Sequence, residues 1–303
     1  MNNQRYNQLI SDLRSDYRPQ REWGEGKGVL MVIGHFLVGV AGGTWLMASI
    51  YGVTAGLVIA YLLGALGGVV HLMFLGNPKN VFKMMRHFKT SWVSRGFVGL
   101  SLFLTGGGVT LLMVLLSLNG GGWSVILWPA KIVAALGMVT IIGYMGFCYT
   151  ASKAIPFWHS PLHPAIYIAF AVRGGIAALL IIAAFLGGSA DEFLLKLWLA
   201  VTGTVTLFYA LELQGAIAGG NVAARHSAED ILSGRLALVF YGGTLVLGLV
   251  VPLLLLTMSV TMSPAVMAAI GLASVAGDFF MKLSTVRAGV YLPLVLPARR
   301  KHA

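Results

Sequence analysis

VTAGLVIAYLLGALGGVVHLMFL, residues 53–75, is an apolar run with no Asp, Glu, Lys or Arg in it. About 20 such residues cross the hydrocarbon core of a bilayer as a helix. Seven further stretches have the same character: Gly28–Tyr51, Val93–Leu118, Ser124–Thr150, Leu162–Leu186, Glu192–Ala216, Ile231–Ser259 and Met262–Lys282. Membrane strands would be far shorter and alternate in polarity, a pattern not seen here. Lipid offers no partner to an unsatisfied backbone amide, so the fold class is an all-α integral membrane protein with eight transmembrane helices.

Charged residues make up 10% of the chain and 39 positions are glycine. That composition leaves no room for a soluble domain and suits helices that approach one another closely. The chain divides into a polar N-terminal tail (1–27), a membrane domain (28–295) and a basic C-terminal tail (296–303). The first tail lacks an apolar core of its own and does not read as a cleaved signal peptide. Cys148 is the single cysteine, which excludes a disulfide framework and any cysteine-ligated iron–sulfur cluster within this chain. Such a cluster would have to belong to a partner.

Charge is distributed one-sidedly. Counted along eight spans, the tails and the loops after spans two, four and six share one face. That face carries Arg14, Arg18, Arg21, Lys27, Lys79, Lys83, Arg86, Lys89, Arg95, Lys153, Arg225, Arg235, Arg287, Arg299, Arg300 and Lys301, among others. The opposite face has tight turns, with Lys131 and Lys196 just inside neighbouring helices. Under the positive-inside rule both termini are cytoplasmic and the membrane is the cytoplasmic, or inner, one. A basic face can equally dock an acidic subunit. The long connections lie on it too: Gly76–Ser91, broken by Pro78, and Ile155–Pro164, which holds three prolines, Trp158, His159 and His163. Lys83, Arg86, Lys89, Trp92, Arg95, Trp158 and His159 are the candidate docking residues, although Trp92, Trp158 and Tyr167 also fit an interfacial aromatic belt.

Ionisable groups inside spans are costly, and they pair, face the bundle interior or mark a pathway. His35, His71, Arg173, Glu212 and Asp278 qualify, with Tyr144 beside them. His35 lies about two turns into span one and His71 about one turn from the end of span two. Tyr144, Glu212 and Asp278 sit in the last two turns of spans four, six and eight, so these five share a depth beneath the basic face. Arg173 alone is near the bilayer centre. Plainer readings exist: His71 as a packing residue, and Glu212 and Asp278 as snorkelling groups, with Lys282 the i,i+4 partner of Asp278.

A two-electron quinone reaction needs an apolar slot, hydrogen-bonding groups for two oxygens and a titratable route to water. Histidine suits the second requirement because it donates and accepts near neutral pH. The cluster meets these needs. A bis-histidine haem is the competing use of His35 and His71, but a transmembrane electron wire would require a second deep pair, and no other span supplies one.

Several short motifs resemble one family. His35-Phe36-Leu37-Val38-Gly39-Val40-Ala41-Gly42-Gly43 is similar to the opening helix of the polysulfide reductase membrane-subunit family, the NrfD type. Gly76-Asn77-Pro78 followed by Ser91-Trp92-Val93-Ser94-Arg95-Gly96 resembles its loop after the second helix. Tyr149–Trp158 resembles its fourth-helix exit, and Gly277-Asp278-Phe279-Phe280 through Arg287 and Tyr291 its last helix. The resemblance also extends to the anchors of dimethyl sulfoxide reductase-type enzymes. It implies two four-helix bundles without haem, exchanging electrons between quinone and an iron–sulfur, ferredoxin-like subunit that serves a catalytic, commonly molybdopterin, subunit in anaerobic respiration. By the same resemblance His35 matches the histidine associated with quinone. Val32 stands where that branch has asparagine, and Phe74 where the dimethyl sulfoxide reductase anchors have histidine, with His71 one turn deeper.

The expectation is therefore a quinone-reactive anchor subunit. Menaquinone or ubiquinone would be held by His35 with His71, Tyr144 and Trp45, while Glu212 and Asp278 relay protons. This chain would hold no haem, iron–sulfur cluster or other metal. A small-molecule or ion transporter centred on Arg173 is the alternative. It would call for access from both faces and internal repeats, and no repeat is apparent.

Overall fold

The structure, a computed structural model, describes residues 3–292 apart from 16, 78, 119, 188–191 and 260. The tail 296–303, with Arg299, Arg300 and Lys301, lies outside the described residues. Among the described residues, eight helical segments are long and apolar enough to span a membrane: Gly26–Tyr51, Thr54–Leu75, Trp92–Leu115, Gly121–Thr150, His163–Phe185, Glu192–Ala218, Val239–Met258 and Pro264–Ala288. The α-helices are α1 (Asn3–Arg14), α2 (Val29–Tyr51), α3 (Thr54–Leu75), α4 (Asn80–Met85), α5 (Trp92–Leu115), α6 (Ser124–Thr150), α7 (His163–Phe185), α8 (Glu192–Ala218), α9 (Val222–Leu232), α10 (Val251–Met258) and α11 (Pro264–Ala288). A π-helical stretch, Val239–Val250, leads into α10.

Two span boundaries differ from the sequence reading. The seventh was expected to begin at Ile231, but Val222–Leu232 is a separate helix capped by Asn221, whose side chain accepts from Ala224 N at 3.1 Å. The chain turns through Ser233–Leu236 before the span starts. The eighth was expected to end at Lys282 and continues to Ala288. Its last turns carry Ser284, Thr285 and Arg287, polar residues that hydropathy assigns to water. Ser284 and Thr285 are nonetheless buried, with Tyr209 of α8 and Trp158 both bonded to Thr285, and the N-terminal segment crosses just beyond them at Arg287 and Gly289.

That segment is more than a tail. Gln20 N donates to Gly289 O at 2.8 Å, Tyr291 N to Arg18 O at 2.9 Å, and Arg287 Nε to Gly24 O at 2.9 Å. Arg21 is held by both Asp12 and Glu25 at 2.8 Å, and Trp23 stacks on Trp158 with ring centres 5.5 Å apart. Residues 17–28 thereby cross the basic face from the last helix to the first.

Helix α2 is the centre of the packing, against α3, α6, α7 and α11. Helix α5 pairs with α6, α7 with α8 and α11, and α11 with the π-helical stretch and α10. Since α2, α6 and α7 all pack on one another, the first four spans and the last four are joined through a shared contact. At its heart two backbones touch. A Cβ on Gly43 would fall 1.7 Å from Ala171 O, and one on Gly175 would fall 2.2 Å from the Gly43 carbonyl carbon. Glycine is required there because nothing larger lets the helices approach. We expect Gly175→Leu to cost about 3 kcal/mol or more through overpacking, whereas Gly203→Ala, with open space around it, leaves stability unchanged. Thermal denaturation of the purified variants measures both.

Candidate functional site

Beneath the basic face, α2, α3, α5 and α6 enclose a cavity of about 280 Å³ lined by Trp23, Met31, His35, His71, Phe97 and Tyr144, among others. The His35 and His71 ring centres are 5.2 Å apart, and those of His35 and Tyr144 are 5.7 Å apart at 84°. His71 Nδ1 bonds Gly67 O at 2.7 Å. A carbonyl only accepts, so Nδ1 carries the proton and Nε2 is left as an acceptor. That Nε2 is buried and has no hydrogen-bond partner. His35 Nδ1 lies 3.2 Å from Tyr149 Oη. Gly96 makes room for the aromatic wall, since a Cβ there would sit 2.4 Å from the Tyr144 ring. On the outer side Phe74, Leu75, Val93 and Phe97 are half-buried, so the cavity faces lipid between α3 and α5.

His35, His71 and Tyr144 are thus brought together as expected, and Trp45 is not. Ten residues further along α2, about 15 Å at helical rise, Trp45 packs edge-on against Phe103 at 5.2 Å. It lines a different cavity with Thr110 and Lys131.

The two carboxylates also separate. Glu212 is buried six residues before the end of α8, and its Oε1 lies 2.5 Å from His163 Nδ1. His163, read from sequence as a loop residue, opens α7 and is buried. Tyr167 stacks on it with ring centres 5.7 Å apart, and Tyr149 lies 5.3 Å from Tyr167. Asp278 is ten residues before the end of α11, deeper than expected, because that helix runs on past Lys282. It pairs with Arg173, which also donates to Thr202 Oγ1 at 3.0 Å and to Gly248 O of the π-helical stretch. Neither carboxylate snorkels. Lys282 Nζ sits over the Tyr167 and Phe36 rings, 5.4 and 5.7 Å from their centres. A second cavity, about 520 Å³ and mostly apolar, lies beside Arg173 between α7, α8, the π-helical stretch and α11.

Of the expected docking residues, Lys83, Arg86, Lys89 and His159 are exposed. Trp158 is not. It is fully buried, and its Nε1 donates to Thr285 O at 3.1 Å. The proline-braced loop folds inward around it, which overturns the belt reading for Trp158 and equally for buried Tyr167. Trp92 and Arg95 are half-buried and occupied with the loop itself. Arg95 donates to Phe88 O at 3.1 Å and Lys89 O at 2.9 Å, and its guanidinium lies 4.2 Å over Trp92, which stacks on Phe147 at 4.4 Å.

Residues 26–293 match the family described as Polysulphide reductase, NrfD. The chain belongs to the NrfD family. Proteins of this family are membrane subunits associated with redox partner subunits. The chain is also similar to a protein named Protein NrfD homolog from Haemophilus influenzae, 29% identical over 136 residues. That match spans 42% of this chain and 40% of the relative.

The NrfD-like Ser91–Gly96 motif now has a physical account. Ser91 caps α5 by accepting from Ser94 N at 3.3 Å, and Ser94 Oγ ties α5 to Met84 O at 2.6 Å. With Arg95 holding two loop carbonyls and Gly96 admitting Tyr144, the motif shapes the cavity wall. Among the described residues no group of three His, Cys, Asp or Glu side chains is placed to hold a metal ion. For the buried pair, removing one charge strands the other, a loss of about 3–5 kcal/mol, whereas replacing both with apolar residues is close to neutral. Arg173→Leu should therefore destabilise the NrfD-family fold strongly, and Arg173→Leu with Asp278→Leu should recover most of that loss, as read by thermal denaturation of the single and double variants.

Proposed function

We propose that this chain is the quinone-reactive membrane anchor of a multi-subunit oxidoreductase. In this reading it exchanges electrons between quinone and an iron–sulfur subunit docked on the basic face, which in turn serves a catalytic, molybdopterin-type subunit. The observation that carries the proposal is the unpartnered Nε2 of His71 beside His35 in a cavity that faces lipid. A buried acceptor with no bond costs free energy unless a ligand uses it. A quinol hydroxyl supplies the missing donor. His35 and Tyr144 orient the ring, the apolar lining excludes water, and the tail leaves between α3 and α5. Quinone, when bound, supplies the two-electron, two-proton chemistry. In this reading His35 and His71 serve that ligand rather than haem.

Proton exchange is assigned to Glu212. Asp278 is engaged by Arg173 and is better suited to holding α7 and α11 together than to releasing protons. The same engagement argues against a transporter centred on Arg173, since three protein groups already take up its guanidinium. Loop charge supports cytoplasmic termini in an inner membrane.

If His35 bonds a quinone oxygen, His35→Leu removes the bond and keeps an apolar helix surface. Quinone-linked turnover should fall by about 10²-fold, as for a lost acid–base group, with dye-linked activity intact. Full quinone activity in assembled His35→Leu membranes would return His35 to packing. Docking is expected at exposed Lys83, Arg86 and Lys89. Reversing all three to glutamate should release the soluble subunits from membranes and abolish the salt sensitivity of the association, while retention with unaltered salt sensitivity would place docking elsewhere.

A further inference from the structure

Four buried polar side chains lie off the His35 cavity: Glu212, to which proton exchange is assigned, and His163, Tyr167 and Tyr149 between it and His35. At one end Glu212 lines a separate cavity of about 320 Å³ beneath the loop Pro156–Leu162. Its rim residues His159, Gly215, Gly219 and Asn221 are exposed, so this cavity opens on the basic face. At the other end Tyr149 Oη is 3.2 Å from His35 Nδ1. Between them, His163 Nδ1 and Glu212 Oε1 are in close contact at 2.5 Å, without the alignment of a hydrogen bond. His163 Nε2 and Tyr167 Oη are both buried with no hydrogen-bond partner, on rings stacked 5.7 Å apart and inclined at 20°.

We propose that Glu212, His163, Tyr167 and Tyr149 form a proton relay that connects His35 to water at the basic face through the cavity beneath Pro156–Leu162. The inference rests on the assignment of quinone to the His35 cavity and names the path by which that site exchanges protons. Each member can give a proton as it takes one: a hydroxyl donates and accepts, an imidazole does so through its two nitrogens, and a carboxylate ends the line. Such groups are expensive to bury in a membrane protein and mark pathways where they persist.

The surroundings favour transit over storage. Lys282 Nζ lies 5.4 Å from the centre of the Tyr167 ring. Phe157 and Trp158 close the outer side, with ring centres 6.3 Å from His163 and 4.9 Å from Tyr149. Gly146 allows the arrangement, since a Cβ there would lie 2.4 Å from Pro164 Cα and would push the start of α7, with His163, away from Tyr149. In the direction of quinol oxidation, one quinol yields one quinone, two electrons that pass to the docked iron–sulfur subunit, and two protons. His35 accepts each proton while its Nδ1 hydrogen moves to Tyr149, and one proton leaves from Glu212 for each that enters. Quinone reduction runs the same path backwards.

The test uses membranes holding the chain with its partner subunits, and the isosteric variants Glu212→Gln and Tyr149→Phe. Three quantities are read: quinol-linked turnover, proton release with a pH-indicator dye, and equilibrium binding of a quinone analogue. Proton release and turnover should fall by about 10²-fold in both variants, with analogue affinity unchanged. Azide or formate should then restore Glu212→Gln, because a small weak acid enters the cavity beneath the loop and stands in for the carboxyl. It should not restore Tyr149→Phe, which lies beyond its reach. Normal rates in either variant, or a slow Glu212→Gln that neither acid restores, would overturn the relay. Normal rates in both alongside a slow His35→Leu would discard the relay and keep the quinone site, whereas normal rates in all three would discard both.

Discussion

The bilayer tolerates no buried charge without a counter-charge or hydrogen bonds, and the pairing of Arg173 with Asp278 is where this constraint shapes the whole protein. The guanidinium reaches α8 through Thr202, α11 through Asp278 and the π-helical stretch through Gly248 O. Four helices are thereby oriented about their own axes, which apolar packing between lipid-like surfaces does poorly. Once α7 and α11 are set, the touching backbones at Gly43 and Gly175 set α2, and α2 carries His35. The geometry of the His35 cavity therefore depends on an ion pair that does not line it.

A second consequence concerns the basic face. Its loops were expected to be a charged surface that docks a partner, and Lys83, Arg86 and Lys89 are exposed there. The aromatic and proline-rich part is instead a lid whose residues point inward: Trp158 to Thr285 O, Trp23 onto Trp158, Tyr149 against both. The surface that would meet a redox partner and the wall of the buried site are two sides of the same few residues.

Hydropathy made the helices legible from sequence because span length is set by lipid thickness, a property outside the protein. Depth was legible as well, since it follows from counting residues, and it correctly grouped His35, His71 and Tyr144. What counting does not supply is the direction in which each side chain faces. Trp45 and His35 share α2 but serve different cavities. Glu212 and Asp278 read alike and found different partners, one a histidine at a helix start and the other a mid-membrane arginine. His163 was visible in the sequence beside three prolines. Its importance came from Leu162-His163-Pro164 starting a helix rather than ending a loop, and Pro164 in the first turn was the available signal. Polar Ser284 and Thr285 misled the end of span eight because their partners, Trp158 and Tyr209, are far off in sequence, while residues 17–28 close over the turn that follows, some 260 positions away.

That long-range closure bears on how the protein is made. Trp23 forms part of the wall of the His35 cavity, and the segment that carries it is fastened by Gly289, Tyr291 and Arg287 at the far end of the chain. Residues 17–28 thus find their seat only after α11 is in place. Without α11 and the turn after it the cavity stays unroofed, so the His35 site is complete only when residues 17–28 meet residues 287–291.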